Sequence, residues 1–89
     1  MIRVMLPEED WKALSEFVRT QRLRQFGIEA SVRNAHSSGT NRVVVFRSLD
    51  AVNSLIDKIT TYARAWDVRW AVPLNRVLPR LHREAERGS

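Results

Sequence analysis

Apolar and polar positions alternate over residues 2–6, with Ile2, Val4 and Leu6 on one side and Arg3 and Met5 on the other. This period of two predicts a strand with one buried face. The period then changes. Pro7 followed by Glu8, Glu9 and Asp10 marks a helix start, because proline fits a first turn and acids there oppose the positive end of the helix dipole. Trp11, Leu14, Phe17 and Val18 continue at helical spacing. The helix is expected to run to about Gln25, closing on the cations Arg19, Arg22 and Arg24 and then on Gly27.

Alternation returns with Ile28, Ala30 and Val32 set against Glu29, Ser31 and Arg33, which predicts a second strand. Residues 34–41, centred on Ser37-Ser38-Gly39, have turn chemistry and no period, so they read as a hairpin loop. Residues 42–47 are rich in β-branched side chains and predict a third strand. Val44 and Phe46 share one face of it, and Val43, Val45 and Arg47 the other. Ser48 or Asp50 supplies a cap for a second helix carrying Val52, Leu55, Ile56, Ile59, Ala63 and Trp66 on one stripe, the strongest periodic signal in the chain. Val68, Trp70 and Val72 alternate with Arg69 and Ala71, predicting a fourth strand over 67–72 that Pro73 stops. Residues 74–89 read as a basic tail or short broken helix, with Leu74, Val77, Leu78 and Leu81 at helical spacing around Pro79.

The order strand, helix, strand, strand, helix, strand buries every apolar face if both helices lie on one side of a four-stranded antiparallel sheet. The expected fold is therefore α+β, a ferredoxin-like βαββαβ plait over 1–73 followed by the tail at 74–89. A length of 89 residues suits one core. Hydrophobic residues at 44% and charged residues at 28% exclude a disordered chain, and no apolar run is long enough to span a membrane. The N-terminal residues lack the pattern of a secretory leader, so a soluble, cytoplasmic protein is expected.

Chemistry is limited by what is missing. There is no cysteine, and His36 and His82 are too few to build a metal site without several carboxylates, so no metal or cofactor is expected. Neither histidine stands in a nucleophile–base signature. The acids concentrate at helix starts or exposed helical positions, where capping and solubility explain them. Gly39 is followed by a strand and not by the helix a phosphate loop needs. Acylphosphatases share the expected topology, but Leu6-Pro7-Glu8-Glu9 departs from their glycine-rich loop. No catalysis is expected.

The formal charge is +5, and among the basic residues only Lys12 and Lys58 are lysines. Such a field attracts anionic partners, and arginine's planar fork suits phosphate and carboxylate. In the expected plait the uncovered sheet face carries Arg3, Met5, Arg33, Val43, Val45, Arg47 and Arg69, with Glu29 as its one acid. Arg76 and Arg80 in the tail add charge, and Arg19, Arg22 and Arg24 form a second basic cluster. An open sheet of this topology, entered through β-strand residues 2–6 and Leu6-Pro7-Glu8-Glu9-Asp10 and containing Val44-Val45-Phe46, resembles RNA recognition motifs in its rhythm. The positions where that family carries stacking aromatics hold Arg3, Asn41 and Val43, so the resemblance implies a binding surface without ring stacking.

The expected function is therefore non-catalytic binding of RNA or DNA through the basic sheet face. The alternative is an inhibitor or bridging protein of the phage or mobile-element kind, holding an acidic protein surface around Met5, Val43 and Val45. A homodimer through the same patch, or cover by the tail, would also hide those three side chains.

Overall fold

The computed structural model describes residues 1–62 and 68–88. Ile2–Pro7 forms strand β1, and Pro7 passes the chain directly into helix α1, Glu8–Thr20, whose first turn carries Glu8, Glu9 and Asp10. A 3₁₀ turn at Gln25–Gly27 leads into a short helix α2, Ile28–Arg33. Strands β2, His36–Ser38, and β3, Asn41–Phe46, form a hairpin around Gly39, whose φ of 63° is one that a residue without a β-carbon adopts at no steric cost. Helix α3 spans Leu49–Thr61, and α4 spans Val68–Gly88.

The protein is a mixed α+β fold with a three-stranded antiparallel sheet in the order β1-β3-β2. Ile2 pairs with Phe46, Val4 with Val44 and Leu6 with Arg42. Val4, Leu6, Val44 and Phe46 are buried on one face, as their alternation predicts, and α1, α2, α3, α4 and Leu23 contribute the rest of the same core. Ser48 caps α3, its Oγ accepting from the Ala51 amide at 3.3 Å, and Val52, Leu55 and Ile59 line its buried face. Ala63 and Trp66, also expected on that stripe, lie outside the described residues.

Two expected strands take another form. The strand expected over 28–32 is helix α2: Ile28 and Val32 are both about 1% exposed, and spacing of four places them on one helical face as readily as on one strand face. The other expected strand, 67–72, begins outside the described residues at Asp67, and from Val68 onward it is helix. Trp70 is buried while Val72 is 63% exposed, so these two do not share a face as a strand requires. Trp70, Leu74, Val77 and Leu81 follow the helical stripe instead and enter the core.

Pro73 and Pro79 lie inside α4, each removing an amide donor at a cost of about 3 kcal/mol in an ordinary helix interior. Burial of those four large side chains, at about 1.5–3 kcal/mol each, offsets that loss. The segment expected as a tail therefore belongs to the common core. A radius of gyration of 11.6 Å, against about 12 Å expected for one compact body of this length, agrees. No helix among the described residues is long and apolar enough to cross a membrane.

Candidate functional site

The outer face of the sheet is built by the residues that alternate with the core. Arg3 faces Val45 and Met5 faces Val43 across the β1–β3 register, and His36 of β2 stands on the other side of Val43. Arg3 and His36 are exposed, Met5 is 48% exposed, and Val43 and Val45 are half-buried. The Asn41 amide nitrogen lies 3.5 Å from the Met5 sulfur. The apolar stripe of α4 does not cover this face, because Leu74, Val77 and Leu81 are wholly taken up by the core. Arg33 departs from expectation. With 28–33 helical it ends α2 and is not a sheet residue.

That change assembles a different surface. After α1 the chain reverses through Arg22 and Phe26, both at positive φ (53° and 56°), and Gly27 at 67°. Leu23 is buried and pins the turn, its amide donating to the Val18 carbonyl at 3.1 Å while its own carbonyl accepts from Glu29 at 3.0 Å. Gly27 leaves room for Arg47: a β-carbon there would lie 3.0 Å from Cζ and Nε of that guanidinium. Arg47 thus reaches from the end of β3 to the start of α2.

Three shallow hollows surround α2. One of about 280 Å³ is lined by Arg24, Gly27, Glu29, Ala30 and Arg33. The second, about 200 Å³, is lined by Ala30, Ser31, Asn34, Val45 and Arg47, and the third, about 110 Å³, by Ser15, Arg19, Glu29, Val32 and Arg33. Ala30 is a wall common to the first two, and Glu29 and Arg33 are common to the first and third, so the hollows adjoin around α2, and Val45 joins the second to the outer sheet face. Arg19, Arg24, Arg33 and Arg47 rim them, all exposed. Glu29 is the one acid lining these hollows. Its oxygen lies 3.7 Å from Nε of Arg24, whose side chain is 82% exposed, so the pair is loosely held and contributes little stability, and the arginines outnumber this acid four to one around the hollows.

The remaining basic residues divide by role. Arg76, expected in a basic tail, is engaged within the fold: its Nε and Nη2 donate to Oδ1 of the buried Asp10 at 3.0 and 2.7 Å, and Glu9 stands 3.7 Å away. The hydrogen bond to Asp10 raises the guanidinium pKa above its ordinary value. Arg80 donates to the Met5 carbonyl at 3.2 Å, covering part of the β1 edge. Arg42 stacks 4.4 Å from the Trp11 ring and donates to Glu8 at 3.0 Å, while the Trp11 indole donates to the Val32 carbonyl at 2.8 Å, tying α1 to α2. Arg22 is exposed beside a groove shared with Lys58 and Tyr62. The Arg69 side chain lies outside the described residues.

One residue of this region escapes the sequence pattern. Phe26 is 43% exposed, whereas Phe17 and Phe46 are fully buried. The signal for it is its position, off the Trp11, Leu14, Phe17, Val18 stripe and directly before a glycine. Among the described residues no group of three or more potential metal ligands forms. Comparison with known proteins adds no assignment: no family model, no curated protein and no solved structure matches the chain.

Proposed function

We propose that this protein is a non-catalytic, cytoplasmic nucleic-acid-binding module. The observation that carries the reading is the clustering of Arg19, Arg24, Arg33 and Arg47 around the adjoining hollows that flank α2, with Glu29 the only acid lining them among the described residues. Arg3 continues the positive potential onto the outer sheet face opposite Val45. Exposed guanidinium groups spaced along a shallow surface pair with successive phosphates and release condensed counter-ions.

The test is a fluorescence-anisotropy titration against short single-stranded RNA, single-stranded DNA and duplex DNA at two salt concentrations. Micromolar binding that weakens as salt rises is expected. Arg33→Glu/Arg47→Glu should weaken it at least about tenfold, since each reversal removes an attraction and adds a repulsion, while the far-ultraviolet circular dichroism stays that of the wild type. Absence of binding at low salt, or a reversal variant that binds like the wild type, sinks the reading. A second reading rests on the half-exposed Met5 beside Val43 and Val45: a protein contact, with an inhibited or bridged partner or with a second copy of the chain. It is distinguished by weak salt dependence and by loss of association on Val45→Asp.

A further inference from the structure

The geometry points to Phe26 as a base-stacking platform, so that the ligand of the arginine-rimmed surface is single-stranded nucleic acid; this rests on the nucleic-acid reading above and names its substrate class. Phe26 holds φ 56° and ψ 20°, left-handed values that disfavour any side chain with a β-carbon and are most readily taken by glycine and asparagine. Burial does not compensate, because the residue is 43% exposed and is not a member of the core. A bulky ring in an exposed, disfavoured conformation marks a position where something other than packing selects it.

The turn around it is fixed. Leu23 is buried, and the Gly27 amide donates to the Arg24 carbonyl at 3.1 Å, which adds to the Leu23 bonds on either side. The ring is therefore carried on a preorganised base. Its surroundings supply the other half of a single-strand site: the exposed Arg22 and Arg24 precede it in the same turn, and the Arg47 guanidinium lies against the next residue, Gly27. An exposed aromatic ring in a turn rich in arginine matches unstacked bases alternating with phosphates. A duplex offers the phosphates and keeps its base faces stacked inside.

The experiment compares wild type, Phe26→Asn and Phe26→Trp by fluorescence anisotropy, using a fluorescein-labelled mixed-sequence single-stranded 12-mer and the same strand as a duplex. The wild type should bind the single strand more tightly than the duplex. Phe26→Asn should lose about 5- to 150-fold for the single strand, the range of one lost stacking contact, with duplex affinity and salt slope unchanged and with thermal stability equal or higher, since asparagine tolerates this backbone. Phe26→Trp should retain single-strand affinity. If the wild type binds the single strand and Phe26→Asn binds it equally well, the stacking role is wrong and the nucleic-acid reading stands. If Phe26→Asn lowers the melting temperature and both affinities together, Phe26 is a packing residue and the inference fails. If the wild type binds neither probe, the nucleic-acid reading itself fails.

Discussion

Asp10 is the one charged side chain among the buried residues described, 1% exposed in the first turn of α1, where the helix dipole favours a carboxylate. Arg76 reaches it from α4, yet both of its bonds go to Oδ1, and Oδ2 is buried without a hydrogen-bond partner. A buried carboxylate is tolerable while its counter-charge is present and costly once that is removed. Arg76→Met should therefore lower the urea midpoint of unfolding, and Asp10→Ala/Arg76→Met should recover part of that loss; a single variant as stable as the wild type would show the pair to be dispensable. At this scale the sequence was a partial guide. The exposure of Arg3 and the burial of Val4, Leu6, Val44 and Phe46 follow from alternation alone. The partnership of Arg76 with a residue 66 positions earlier does not, because only the tertiary fold brings them together.

Among the elements, β1, β3, α1 and α3 are legible, because each has one period that fits and one that does not. α1 stops at Thr20, short of the expected Gln25, where the chain turns through Arg22 at positive φ. α2 was not legible: Ile28 and Val32 satisfy a period of two and an i,i+4 contact equally, and six residues are too few to decide. The arginine surface was missed for the same reason, since it exists only when Arg33 ends a helix beside β3. α4 was obscured by Pro73 and Pro79, which read as a strand stop and a helix break. Pro79 is exposed within the helix, so Pro79→Ala restores a backbone donor without opening the core. It should raise unfolding stability, by at most about 3 kcal/mol, in a denaturant titration; a fall would mean that the proline sets a bend on which packing depends.

For the molecule as a whole, α4 decides whether there is a fold. Leu74, Val77 and Leu81 are each fully buried, and their burial amounts to about 5–9 kcal/mol at 1.5–3 kcal/mol each, comparable with the whole stability of a small domain. A chain ending at Pro73 should consequently show no cooperative thermal transition and poor dispersion of its amide NMR signals; a native-like spectrum would assign 1–73 independent stability. The same feature bears on how the protein is made. β1 waits for β3, and Asp10, Glu16 and the Met5 carbonyl wait for Arg76, Trp70 and Arg80, partners 54 to 75 residues further on. The first third of the chain emerges from the ribosome with its apolar face uncovered and cannot complete its packing until Leu81 has been synthesised. Folding is thus deferred until α4 has been synthesised, and the nascent chain passes through a period in which chaperones and proteases see a hydrophobic strand and helix that the folded molecule never displays.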